Sequence, residues 1–345
     1  MKQERAAAIA AQKKTLRTFR VLDENICLLN YHADYGLPAM LSSGSSSILG
    51  MVRFLQRYLH TAGQLPLRSG GGCSTFNTVA PDGTVFMGRN FDYKEARCLV
   101  VWTHPKNAYR SVSMVNQNHL IHSDLARARR HLRVLGAPYA SMDGVNEKGL
   151  CVAVLELRAK PTRQKTGKTP IVTTVAVRGM LDTCATVEEA LAFLEKYDMN
   201  DLLGSCYHYQ ISDADGYSAI VEYVDGKMYV IRQKEKGEPL KVTNFFLTPN
   251  ENAEIKGKDR FDIMDCALQK TPSMTEEQCM KLLGSAKACF RSRYKVFFVK
   301  TLWSAVYNLT ERSMLLSAKA DYSRQYRFYA DQPGKVEIVK GKSTD

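Results

Sequence analysis

The chain has 345 residues, 45% hydrophobic and 24% charged, with a formal charge of +13; a globular protein of this size holds its core without disulfide staples. Nine cysteines, an odd number with no CxxC pair, argue against a zinc ribbon or a dithiol redox motif. No apolar run approaches the ~18 residues of a membrane helix, and the scattered basic residues, densest from Arg127 to Arg133, carry no nucleic-acid-binding signature.

The N-terminal text is too short and too interrupted in its apolar residues for a signal peptide. Residues 1–68 read as helical: Ala-rich to Lys14, then apolar at helical spacing over 48–59, after a Ser/Gly break at 42–47. The flexible run Ser69-Gly70-Gly71-Gly72 follows. From Cys73 the texture changes to strands and tight turns. Residues 75–79 and 84–88 flank Ala80-Pro81-Asp82-Gly83 as a β-hairpin. A second hairpin brackets Asn146-Glu147-Lys148-Gly149, with a strand over 150–157, and a meander covers 207–232. Thr186-Val187-Glu188-Glu189 and Thr275-Glu276-Glu277-Gln278 read as helix-opening capping boxes. Residues 302–309 and 313–317 read as closing strands. Short turns force antiparallel neighbours, so the class is α+β; two such sheets would be covered by helices in four layers, αββα. Cysteines in apolar runs, such as Cys151, read as buried reduced thiols, which implies the cytosol.

The chemistry turns on finding a nucleophile and its base. The seven histidines sit in no recognisable protease signature, and His119-Leu-Ile-His122 without a placed carboxylate is too weak for a metal site; no metal or cofactor is expected. A chain that begins with Cys needs no histidine. Its α-amine, with a pKa near 8, serves as general base and is tethered to the thiol. Freeing that amine requires the thiol to attack the preceding carbonyl, and the small flexible flank Gly70-Gly71-Gly72-Cys73 suits this. Across the first hairpin lies Gly88-Arg89-Asn90-Phe91-Asp92. A hairpin would return Arg89 and Asp92 beside Cys73, the arginine lowering the thiol pKa and the aspartate accepting from the α-amine. On spacing alone a surface Arg–Asp pair of little consequence stands equal to that reading.

Cys73-Ser-Thr-Phe, Gly88-Arg-Asn-Phe-Asp92 and Asp143-Gly-Val-Asn-Glu-Lys-Gly-Leu150 together resemble the choloylglycine hydrolase family, the linear amide C–N hydrolases that include conjugated bile acid hydrolases and penicillin V acylases. Trp303-Ser-Ala-Val-Tyr-Asn308 is similar to the related isopenicillin N acyltransferase branch. The resemblance covers about residues 73–329. It implies a four-layer αββα N-terminal-nucleophile fold over 73–345 behind a helical pro-segment, 1–72, cleaved between Gly72 and Cys73. It implies Cys73 as nucleophile with Arg89 and Asp92 beside it. Asn244, in a Val-Thr-Asn similar to the family's Leu-Thr-Asn, would be an oxyanion donor, and Arg260, in Asp-Arg-Phe, a second site arginine. Asn146 and Glu156 are the candidate substrate or oxyanion positions; the family carries asparagine where Glu156 stands, which puts bile acid specificity in doubt. The implied reaction is cysteine-dependent hydrolysis of a small N-acyl amide with an apolar acyl group. The alternatives are acyl transfer to an amine, or an uncleaved binding protein. No nucleic-acid or membrane partner is expected, and the sequence leaves homo-oligomer formation open.

Overall fold

The computed structural model describes residues 2–59, 71–94, 96–121, 132–201, 205–251, 253–291 and 298–341. The chain begins with α1 (Lys2–Thr18), β1 (Arg20–Val21), β2 (Ile26–Tyr31), α2 (Leu37–Ser43) and α3 (Ile48–Tyr58). Then come β3 (Gly72–Val79), β4 (Val85–Tyr93), β5 (Cys98–Thr103), β6 (Ser111–Asn116), β7 (Ser141–Asn146), β8 (Cys151–Leu157) and β9 (Thr169–Val172). Helices α4 (Thr173–Thr183) and α5 (Val187–Glu195) precede β10 (Tyr197–Asn200), β11 (Cys206–Ser212), β12 (Ser218–Val224), β13 (Lys227–Arg232) and β14 (Lys241–Val242). The chain closes with α6 (Lys258–Lys270), α7 (Glu276–Ser285), β15 (Cys289–Arg291), β16 (Phe298–Asn308), β17 (Ser313–Ala318), β18 (Gln325–Tyr329) and β19 (Glu337–Lys340).

Two large sheets form. The first has nine strands in the order β1-β2-β5-β6-β7-β8-β11-β12-β13; the second has eight, β14-β3-β4-β16-β17-β18-β19 with β15 on β16. Strands β9 and β10 pair separately, in parallel. Helices α4 and α5 pack on the first sheet, α6 and α7 on the second, and β3 faces β8 across the middle. This is the expected four-layer α+β arrangement. The main core fills the space between the sheets, with Trp102, Trp303 and Tyr307 fully buried. A smaller cluster, including Phe76, Met264, Leu268, Leu283 and Val306, seals the second sheet against α6 and α7. The predicted hairpins form where turn chemistry demanded them: Asp82 Oδ1 accepts from Thr84 N at 2.9 Å, and Gly83 takes φ 87°. All nine cysteines are free, and all but Cys266 and Cys289 are buried.

The all-helical reading of residues 1–68 fails over Arg20–Val21 and Ile26–Tyr31. Strand β2 pairs in parallel with β5, from Ile26↔Cys98 to Tyr31↔Thr103, and Ile26, Cys27, Leu28 and Leu29 are buried. The run Ile-Cys-Leu-Leu is apolar on both faces because helix α1 and the 3₁₀ stretch Leu132–Ala140 lie over this end of the first sheet. Tyrosines tie the N-terminal segment further. Tyr31 Oη donates to Leu135 O at 2.7 Å, Tyr139 Oη to Tyr35 O at 2.8 Å, and Tyr35 Oη to Asp182 Oδ2 at 2.6 Å. Asp182 is itself paired with buried Arg178 at 2.6 Å. The segment is part of the core, not an appendage.

Candidate active site

The β3–β4 register sets Gly72 opposite Asp92, Cys73 opposite Phe91, and Thr75 opposite Arg89. Directly opposed residues share a face and alternate along the strand. Cys73, Arg89 and Phe91 therefore look between the sheets, whereas Gly72 and Asp92 look toward α6. The two charged residues are brought to Cys73 but not to each other. Buried Arg89 pairs through Nε with Asp143 Oδ2 at 3.2 Å and donates from Nη2 to Val154 O at 2.7 Å. Its Nη1 has no hydrogen-bond partner among the described residues. Phe91 stacks on Trp303 with centroids 4.0 Å apart, and the Arg89 guanidinium lies 5.6 Å from the Phe91 ring. Asp143 also accepts from Trp303 Nε1 at 3.3 Å and from the Tyr307 hydroxyl.

Asp92 pairs instead with Arg260, Nη1 to Oδ2 at 2.9 Å, and accepts from Thr301 Oγ1 at 2.7 Å. The Cys73 amide N–H goes to Asn244 Oδ1 at 2.7 Å. Arg260 knots the site together, donating to Cys73 O at 2.6 Å and to Asn244 Oδ1 at 2.8 Å. It reaches these because Gly257, at φ 76°, caps α6; a Cβ there would meet Arg260 Nη2 at 2.4 Å. Asn244 lies two residues past β14, which pairs with β3 at Val242↔Thr75. The preceding carbonyl, Thr243 O, accepts from His208 Nε2 at 2.7 Å, and His208 Nδ1 lies 3.1 Å from Glu222 Oε1. Asn244 Nδ2 spends one N–H on Glu156 O at 2.8 Å; a primary amide carries two.

Cys73 Sγ lies 3.9 Å from Val154 O. Burial pushes the thiol up; Arg89 and Arg260 oppose this, and Asp92 adds to it. The expected lowering by Arg89 is real but smaller than the burial effect, because this uncleaved peptide keeps water from the sulfur. Burial also raises Asp143, against Arg89, Tyr307 and Trp303.

Glu156 stands beside the bond expected to break. Its Oε2 accepts from Gly71 N at 3.0 Å and its Oε1 from Ser205 Oγ at 2.8 Å. The Lys256 ammonium donates to Gly71 O and lies 4.9 Å from the Phe290 ring centroid. Burial brings Lys256 down to about 8. Asn146 is excluded from the site. Its Nδ2 donates to Leu181 O at 3.0 Å and Cys184 O at 2.8 Å, and its Oδ1 accepts from Lys148 N and Leu150 N, each at 3.0 Å. That amide is fully used in fastening the β7–β8 turn to α4. Sequence reasoning missed Asp143, His208, Glu222 and Lys256 as site-building residues. Of these, only Asp143 carried a signal, as the head of Asp-Gly-Val-Asn. Among the described residues no group of three or more His, Cys, Asp or Glu is arranged to hold a metal ion, and His122 lies outside them. No described helix is long and apolar enough to cross a membrane.

Residues 73–239 match the profile described as linear amide C-N hydrolases, choloylglycine hydrolase family, a match that begins on Cys73 itself. A penicillin V acylase from Pectobacterium atrosepticum is 38% identical over 106 residues, and that alignment spans 28% of this chain and 28% of the relative. Two variants of a conjugated bile acid hydrolase from Clostridium perfringens superpose with a TM-score of 0.54 at 16% identity, over 78% of this chain and 97% of theirs. At that identity the likeness is one of fold, the N-terminal-nucleophile hydrolase fold. Residues 73–239, just under half of the chain, are thus similar to the choloylglycine hydrolase family of linear amide C–N hydrolases.

Proposed function

We propose that this chain cuts itself between Gly72 and Cys73 and then hydrolyses a linear amide bond of a small N-acyl compound with Cys73. The observation that carries the reading is the grip on the Cys73 peptide. Its N–H is held by Asn244 at 2.7 Å, its carbonyl by Arg260 at 2.6 Å, and its thiol lies between the sheets on the same face as Arg89. In self-cleavage, Sγ attacks the Gly72 carbonyl carbon. The C–N bond breaks, the nitrogen takes a proton, and the leader is left as a thioester. Water then gives a Gly72 carboxylate, a free thiol and the free α-amine of Cys73.

That amine is the base for turnover, because its ordinary pKa of ~8 suits neutral pH. His208 is a poor competitor, since both of its ring nitrogens are engaged by Glu222 and Thr243. In turnover the amine takes the thiol proton as sulfur attacks the substrate carbonyl. The second N–H of Asn244 meets the oxyanion, and the α-ammonium protonates the departing amine. Water, activated by the same amine, then releases the acid. Arg89 stabilises the thiolate; Arg260, anchored by Asp92, holds Cys73 and Asn244 in register.

The N-terminal segment stays with the enzyme after cleavage, because β2 is a buried strand of the first sheet. Intact mass tests the first step: wild type should yield a fragment that starts at Cys73, and Cys73→Ala should remain full length. A wild-type chain that stays intact and hydrolyses no N-acyl amide refutes the reading.

A further inference from the structure

Gly71 is gripped at both of its backbone polar groups by side chains that the proposed mechanism does not use. Its N–H donates to Glu156 Oε2 at 3.0 Å, and its carbonyl accepts from the Lys256 ammonium. Glu156 is braced by Ser205, and Lys256 by the Phe290 ring. The carbon next to the reacting carbonyl, Gly72 Cα, has little room around it. A Cβ there would stand 3.1 Å from Asp92 Oδ2 and 3.2 Å from Phe290 Cζ.

These contacts bear on substrate because of what self-cleavage makes. The thioester formed when sulfur takes the Gly72 carbonyl is the same kind of species as the acyl-enzyme of any substrate. Its acyl arm is the end of the leader, so the groups that hold Gly71 are those an incoming acyl group meets. We infer that the acyl subsite takes an amide-bearing acyl group, unbranched at its α-carbon and shaped like a peptidyl-glycine, in which Lys256 binds the amide carbonyl and Glu156 the next N–H. This goes against the apolar acyl group that the family resemblance suggested, and it rests on the function proposed above. Burial holds Lys256 near 8, so its donor is charged at neutral pH.

The test uses the mature enzyme and two anilides of equal acyl chain length, acetyl-Gly-Gly-p-nitroanilide and octanoyl-p-nitroanilide. Hydrogen bonds to charged groups set the scale, so wild type should favour the peptide by about tenfold or more in kcat/KM. Lys256→Met and Glu156→Ala should bring that ratio toward one; Lys256→Arg and Glu156→Gln, which keep a donor and an acceptor, should retain most of it. The ratio does not depend on how much of a variant folds or matures, and the conservative pair covers loss of the other two. Equal or reversed preference in wild type, a ratio unmoved by the variants, or a cleaved enzyme inert toward both anilides overturns the inference. A chain that neither cleaves before Cys73 nor hydrolyses either anilide sinks the function reading, and this inference with it.

Discussion

Replacing the two glycines before Cys73 separates a steric demand of the site from mere flexibility. A Cβ on Gly71 would lie 2.6 Å from Asp92 O and 3.1 Å from Tyr93 Cδ2; on Gly72 the nearest atoms are Asp92 Oδ2 at 3.1 Å, Phe290 Cζ at 3.2 Å and Arg260 Nη2 at 3.4 Å. The first neighbour is backbone in the β3–β4 hairpin, which cannot move without the strand. The others are side-chain ends that yield by a few tenths of an ångström. Gly71→Ala must therefore push the segment away from β4 and carry the Gly72 carbonyl with it. A displacement approaching 1 Å at a reacting centre costs on the order of a hundredfold in rate. We expect Gly71→Ala to slow self-cleavage by about that factor and Gly72→Ala by about tenfold or less. The assay is intact mass against time on freshly translated precursor, with thermal melts to show that both precursors are folded. If flexibility alone mattered, the two would be equally slow. Wild-type rates for both, or a slower Gly72→Ala, refute the reasoning.

Arg89→Met should leave Asp143 buried without its cation, at a cost of about 3–5 kcal/mol in urea unfolding. It should also move Cys73 alkylation by iodoacetamide to higher pH, since Arg89 opposes the effect of burial on the thiol; an unmoved alkylation profile counts against its electrostatic role. Asp201 is fully buried, and burial raises it from 3.8 to about 6. The native state therefore binds its proton more tightly than the unfolded chain does between those values, and stability falls as pH rises through that window. Asp201→Asn can turn its Oδ1 to Thr162 N, which donates to Asp201 at 2.8 Å, and its Nδ2 to Thr173 Oγ1. It should be more stable than wild type at pH 7 by on the order of 2 kcal/mol, and lose that advantage below about pH 4, as read by thermal melts. After self-cleavage the N-terminal fragment should co-elute with the Cys73 fragment on gel filtration in native buffer and separate only in denaturant. A soluble, folded Cys73 fragment alone would contradict the burial of β2.

What could be read from the chain depended on how local its cause was. The β3–β4 and β7–β8 hairpins and the Thr275 capping box, complete with its Gln278 return bond, follow from residues a few positions apart. Strand β2 did not declare itself, because a short apolar run fits a buried helix as well as a strand, and its partner β5 lies about seventy residues further along the chain. Cys73, Arg89, Asp92, Asn244 and Arg260 converge as the resemblance implied. Asn146 does not, since its motif serves a turn. Lys256 was invisible because its contact with Gly71 spans 185 positions and no spacing rule reaches that far.

The size of the burial effect on the thiol was likewise beyond the reach of local spacing. An arginine beside a cysteine suggests a thiolate, but only if its charge is free to act. Here Arg89 shares its donors with Asp143 and Val154 O, and the sulfur is sealed in by the uncleaved peptide. Arg260 is likewise bound to Asp92, Asn244 and the Cys73 carbonyl. Two cations already answered by carboxylates offset only part of the effect of burial on the thiol in a dry site. What the intact site lacks is a base next to sulfur, and under the proposed function scission would supply one by exposing the α-amine. Under the proposed function, the pH dependence of turnover is therefore set chiefly by that amine, whereas self-cleavage has to proceed without it.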